Sequence, residues 1–192
     1  MDRAEEVLAF WLDEVGPERW YSEDEALDAE CARRFEGDVE AARRGALKRW
    51  SLEPRRALAL TILLDQLPRN IWRGEARAFA SDRQAVAVAK RAIQAGHDMK
   101  VEEPARQFFY LPLMHSENAM DQDRCVRLVL TRMPRGGAKT LPHAIAHRDI
   151  IRRFSRFPMR DAALGRTPTR EERAWLEQGG YPAMLEARSG AA

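Results

Sequence analysis

The sequence predicts an all-α protein built of antiparallel helical hairpins, and three observations carry that expectation. Apolar residues recur at i, i+3 and i+4 along almost the whole chain, the spacing that lines up one face of a helix. Strand-like alternation bounded by turn residues is hard to find. Helix-opening and helix-closing residues punctuate the chain at helical intervals, dividing it into about seven to nine helices in antiparallel succession. No repeat of about 34 residues is visible, so a repeat architecture does not follow from pattern alone.

The first helix is expected over 5–15, stopped by Gly16-Pro17. Ser22 with Glu25 has the form of a capping box, in which each side chain satisfies an orphan amide of the first turn. A long helix should run from there toward Gly45, with Gly37 as a point of bending. Ser51 and Pro54 open a helix whose Leu58, Ile62 and Leu63 lead into DQLPRN at 65–70, where Pro68 forces a break. Ser81 opens the next helix, and Gly96 is placed to take the left-handed conformation that ends it. Pro104 opens a short aromatic helix, ARQFFYLPLM, and another helix follows from Asn118 to Met133. MPRGGAKTLP reads as a loop, because two prolines and a Gly-Gly pair oppose helix and strand alike. HAIAHRDIIRRF is the next helix, and Thr169 with Glu172 caps a last one that stops at Gly179-Gly180. On this reading 1–180 is a single all-helical domain and 181–192 a flexible tail. Trp11, Trp20, Trp50, Trp72 and Trp175 belong to the core.

Composition excludes several classes. With 45% apolar and 32% charged residues the 192-residue chain is not of the disordered type. The net charge of +2 is spread over scattered arginine pairs, whereas nucleic-acid binding needs a concentrated basic stripe to displace counterions. Cys31 and Cys125 lack CxxC spacing, which fits a reduced cytoplasmic protein. The amino terminus lacks the basic start and unbroken apolar core of a signal peptide, and no apolar run approaches the ~20 residues of a membrane span.

Two polar motifs carry the chemical interest. Asp65, Gln66, Arg69 and Asn70 form a dense knot directly after the apolar run LALTILL, and buried polar groups must be satisfied by the protein or by a ligand. Either Asp65 pairs with Arg69 one turn on, or Arg69 offers its planar guanidinium to a carboxylate or phosphate with Asp65 orienting it. His115-Ser116-Glu117 ends an aromatic segment, where burial can tune both groups: His115 would act as general acid or base, with Glu117 fixing its tautomer. The structural alternative is a histidine tied to a helix end and Glu117 in a first turn. His147 lies one turn before Ile151, on the edge of an apolar stripe, and Arg156 stands beside Phe157-Pro158. A serine nucleophile is disfavoured because no GxSxG elbow is present. A metal site at Glu117 and Asp121 or at His143 and His147 is disfavoured because that spacing is common and HExxH is absent. No Gly-rich phosphate loop, dinucleotide fingerprint or Walker pattern points to a nucleotide cofactor, and none is expected.

Read together, FWL at 10–12, Trp20-Tyr21, Phe35, Gly45 with Trp50, LALTILLDQLPRNIWRG at 58–74, AFASD at 78–82, FFYLPLMHSEN at 108–118, Asp121-Gln122 and HRDIIRRFSRFPMRDAALGR at 147–166 resemble the bacterial family known as domain of unknown function 924. The resemblance implies a tetratricopeptide-like α-superhelix with a concave face. It picks out Asp65, Gln66, Arg69, Asn70, Arg73, His115, Ser116, Glu117, Gln122, His147 and Arg156, and it brings no established activity. Where the family usually reads GRFPHRN, this chain has Met159 and Asp161 in place of the His and the Asn.

Two functional expectations follow. The first is an enzyme acting on a small anionic substrate, with His115, Glu117, Asp65 and His147 moving protons and Arg69, Asn70, Gln66, Arg73, Gln122 and Arg156 holding the substrate. For this the side chains must converge on a pocket. The second is a helical module that binds a peptide or protein, a partner that includes a second copy of the chain. A third account has the polar motifs simply locking the helix packing.

Overall fold

The computed structural model describes residues 2–189. Every regular element among them is helical. The α-helices are α1 Arg3–Leu8, α2 Glu25–Arg43, α3 Pro54–Asp65, α4 Leu67–Ile71, α5 Asp82–Gln94, α6 Leu111–Met114, α7 Ala119–Arg132, α8 Gly137–Phe154, α9 Arg170–Glu177 and α10 Gly180–Ser189. The π-helical segment Ala9–Val15 continues α1. Counting those two as one, eight helices among the described residues run eight residues or longer. The chain, read from sequence as one domain over 1–180, divides into two compact units, Met1–Pro112 and Leu113–Ala192.

In the first unit α3 is the central element. Its residues Ala57 to Asp65 are all buried, with α1, α2 and α5 packed around it, so it is apolar on every side rather than on one stripe. Leu58, Leu60, Ile62, Leu63 and Leu64 each contribute about 1.5–3 kcal/mol of burial. Helix α2 shows the one-faced pattern instead, burying Leu27, Cys31, Phe35, Val39 and Ala42. Its cap differs from the sequence expectation. Asp24 accepts the amides of Ala26 and Leu27, while the Ser22 hydroxyl bonds the Arg19 carbonyl. Wide π turns let α1 place both Phe10 and Trp11 inside before Gly16 ends it at φ 70°. The Trp20 indole donates to the Trp11 carbonyl, and Phe108 stacks edge-on against both rings. All five tryptophans are buried.

Pro68 breaks the chain as its ring dictates, since α3 ends at Asp65 and α4 restarts with Pro68 in its first turn. Ser81, expected to cap α5, donates its hydroxyl to the Leu64 carbonyl near the end of α3, one of the acceptors a helix terminus leaves without a partner.

In the second unit α7 and α8 pack along each other as a hairpin. Asn118 caps α7 through the amides of Met120 and Asp121. The expected loop MPRGGAKTLP is largely helical, because α8 begins at Gly137 and runs through Pro142. A side chain at Gly137 would meet the Val129 carbonyl and the Met133 Cβ, each at 3.2 Å, so a glycine is what lets α8 start against α7. Thr169 and Glu172 form the expected capping box of α9. Helix α9 ends at Glu177, followed by a turn at Gln178-Gly179, as the expected stop at Gly179-Gly180 implies, but helix resumes at once. Both glycines have positive φ, and the chain continues as α10, whose Tyr181 and Met184 pack on Ile150, Ile151, Phe157 and Trp175. Helix α10 thus occupies most of the expected tail 181–192, and 190–192 lie outside the described residues.

Candidate functional site

In the first unit the DQLPRN side chains are joined to two carboxylates that the motif does not contain. Asp28 on α2 accepts Asn70 Nδ2 at 2.8 Å and the Arg73 guanidinium at 2.6 and 2.8 Å. Burial pushes the Asp28 carboxyl up, yet these bonds bring it below its ordinary value. Arg69 makes a two-pronged contact with Asp82 at 3.0 and 3.3 Å, bonds the Ala78 carbonyl and lies 5.6 Å from the Phe79 ring centre. Asp65, fully buried, lies 3.6 Å from Arg69 and accepts Gln66 Nε2. The short α4 is thereby pinned to α2 on one side and to the start of α5 on the other.

In the second unit the HSEN segment is held by its neighbours in the same way. Gln122, fully buried, donates through Nε2 to the Met114 and Ser116 carbonyls at 2.6 and 2.7 Å, closing the end of α6. The Ser116 hydroxyl donates to Asp121. Glu117 accepts the Phe157 amide at 2.8 Å and the Arg166 guanidinium at 2.9 Å. Although burial pushes its carboxyl up, these donors hold it below its ordinary value. Arg166 also bonds Asp161 at 2.7 Å, and Arg156 bonds Glu172 twice at 2.7 Å and lies 3.2 Å from Asp161. Glu172 therefore serves Arg156 and the α9 cap together, and its carboxyl falls to about 2, chiefly through the Arg156 bond. Met159, in the family's histidine position, is 40% exposed, whereas Asp161, in the asparagine position, is 2% exposed and anchors both arginines.

Beside this network lies a cluster of imidazole and phenol rings. His147 on α8 has its ring centre 6.1 Å from His115, 4.9 Å from Tyr181 and 5.3 Å from Phe157. Its Nδ1 lies 2.9 Å from the His143 carbonyl. A carbonyl only accepts, so Nδ1 carries the proton and Nε2 is bare when the ring is neutral. Loss of hydration, then the proximity of His115, push its pKa down to about 3. Arg160 disfavours the imidazolium as well, and its guanidinium lies 4.5 Å from the centre of the Phe157 ring that His147 also touches. His143, one turn earlier, meets the Tyr181 hydroxyl at 2.6 Å through Nδ1. Burial lowers the pKa of His143 and raises that of Tyr181.

The structure thus brings His115 and His147 together and sets Glu117, Gln122 and Arg156 in the frame of the same unit. Asp65, Gln66, Arg69, Asn70 and Arg73 form a separate network within the first unit. Sequence reading missed Asp28, Asp82, Arg160, Arg166 and Tyr181, whose partners lie up to 49 residues away and leave no local spacing to read. Among the described residues no three His, Cys, Asp or Glu side chains are grouped so as to hold a metal ion. A cavity of about 230 Å³ in the first unit is floored by Phe10, Val15, Ala26 and Leu27. None of the sequence-predicted residues lines it, and the charges at its rim are paired, Arg19 with Asp24, Glu14 with Arg34 and Glu30 with Arg33.

The profile of a family described as bacterial protein of unknown function (DUF924) matches residues 7–180. A solved structure of a protein of unknown function from Agrobacterium tumefaciens is similar over 91% of this chain and 97% of its own, with 43% sequence identity and a TM-score of 0.84. No curated protein matches.

Proposed function

The chain belongs to the bacterial family of unknown function DUF924, and as its function we propose acid/base chemistry on a small anionic substrate at the imidazole cluster of the second unit. The observation that carries this reading is the tether from His147 Nδ1 to the His143 carbonyl. It dedicates one ring nitrogen to the helix and leaves Nε2 as a lone pair in fixed orientation, which is what a general base requires. Arg160, against the same Phe157 ring, is the cation that holds the anion.

The low pKa of His147 suits this arrangement. Burial and the neighbouring His115 disfavour an imidazolium there, and the nearby Arg160 adds to them. An anion beside Arg160 offsets that guanidinium's share of the shift and so raises the basicity of the ring. Nε2 then takes a proton from a C–H or O–H next to the anionic group, and His115 is the second imidazole for its return. Glu117, Arg156, Arg166, Asp161 and Glu172 hold the walls, while Asp65, Arg69, Asn70 and Arg73 hold the first unit together. No described helix is long and apolar enough to cross a membrane, and two buried free cysteines fit a cytoplasmic setting.

The test is a screen of small carboxylic and phosphorylated acids with the wild type, His147→Gln and Arg160→Ala, each checked for an intact unfolding transition. His147→Gln should lower kcat by about a hundredfold or more, and Arg160→Ala should act mainly on KM. Turnover untouched by His147→Gln sinks the proposal. So does a panel without turnover whose members leave the His147 ring resonances unmoved.

A further inference from the structure

The sequence reading ended the folded chain before Tyr181, yet this residue touches both imidazoles of α8. Its hydroxyl meets His143 Nδ1 at 2.6 Å, and its ring lies 6.2 Å from the His143 ring and 4.9 Å, nearly edge-on, from that of His147. The direction of the hydroxyl bond follows from chemistry. A phenol oxygen delocalises its lone pair into the ring, which makes it a good donor and a poor acceptor, while a neutral imidazole nitrogen is a strong acceptor. Tyr181 therefore donates, His143 Nδ1 is bare, and the proton of His143 sits on Nε2. His147 has the opposite arrangement, with the proton on Nδ1 toward the helix carbonyl. Two histidines one turn apart on one helix thus offer unlike nitrogens.

We propose that Tyr181 is a positioning residue that holds His143 in the tautomer opposite to that of His147, so that the pair presents one N–H donor and one bare nitrogen to a small acid carrying a hydroxyl beside its anionic group. A hydroxyl is matched to such a pair because it accepts from His143 Nε2–H and donates to His147 Nε2. A plain carboxylate offers acceptors only and leaves the bare nitrogen opposite another lone pair. The ligand class rests on the acid/base reading above, whereas the tautomers do not. Tyr181 itself touches no substrate; it acts through the rings.

Nitrogen-15 NMR of the full chain, with the histidine rings assigned, reads the tautomers directly. His143 should show a pyridine-like Nδ1 and a pyrrole-like Nε2, and His147 the reverse. Tyr181→Phe keeps the ring packing and removes the hydroxyl, so His143 should relax to a mixture while His147 stays as it is. Titration with glycolate and with acetate then tests the ligand, since the two differ by the hydroxyl. Glycolate should move the ring signals of the wild type at roughly threefold to tenfold lower concentration, the worth of one net hydrogen bond, and Tyr181→Phe should narrow that gap. Like tautomers at the two rings, or a His143 tautomer unmoved by Tyr181→Phe, overturns the inference. Equal binding of the two acids removes it while the anion site stands, and binding of neither removes both.

Discussion

At the scale of single residues, the side chains that matter most in the first unit are those the motif does not contain. Asp28 receives three hydrogen bonds from Asn70 and Arg73, and its own side chain is only 18% exposed. Arg73 is 40% exposed, so solvent screens that half of the contact. Replacing Asp28 by Asn should cost about 1–2 kcal/mol, between a neutral bond and a fully desolvated charged one, measured as a lowered urea midpoint with an unchanged slope. A cost near zero would mean that the network is ornamental to the fold. The sequence marked Asn70 as a polar group needing a partner, and the family resemblance picked out Arg73, but Asp28 lies 42 and 45 residues away. A motif states that a partner is needed; only the fold says which. Arg156 repeats the lesson, since its partner Glu172 was readable as a cap residue and not as an ion pair.

At the scale of elements, most helix bodies were legible because each carries its own apolar period and its own stop signal. The departures occur where tertiary contact overrides local preference. The start of α8 is the clearest instance. Gly-Gly and two prolines argue for loop, yet the glycine lets the helix begin against α7. Two competing magnitudes decide what an alanine would do at Gly137. Helix propensity favours it by about 1 kcal/mol, and overpacking against the fixed Val129 carbonyl and Met133 Cβ costs about 1–3 kcal/mol. The second wins, so Gly137→Ala should lower stability. Gly37 is the control, in the interior of α2 with nothing within 4 Å of an added Cβ, and Gly37→Ala should raise stability by up to about 1 kcal/mol. Thermal midpoints of the two variants should move in opposite directions. Movement in the same direction would show that the backbone around Gly137 yields. Helix α10 was missed for a related reason, because two left-handed glycines end a helix as readily as they redirect the chain into the next one.

At the scale of the whole molecule, the imidazoles and carboxyls of the second unit whose pKa is lowered act with one sign on stability against pH. His147 falls from its ordinary 6.5 to about 3, and burial lowers His143 as well. Glu172 falls from 4.5 to about 2, and Glu117 lies below its ordinary value. For each group the unfolded chain binds a proton at a higher pH than the folded chain does, so the unfolded state holds more protons throughout the interval between the two values. Stability must therefore decline as pH falls. For His147 the stabilising share is complete above 6.5 and drains away toward about 3, whereas for Glu172 it is complete above 4.5 and drains toward about 2. The two windows overlap only in part, which separates the contributions. Urea midpoints of the wild type should drop between pH 7 and pH 5, in the range where carboxylates are still silent. His147→Gln should flatten that stretch and leave the steeper decline below pH 4.5 in place, because the carboxylates remain. An identical decline in both proteins between pH 7 and pH 5 would mean that His147 is as easily protonated in the fold as in water. The ring would then owe its neutrality at pH 7 to its ordinary basicity rather than to burial, and the tether to the His143 carbonyl alone would carry the base assigned to this site.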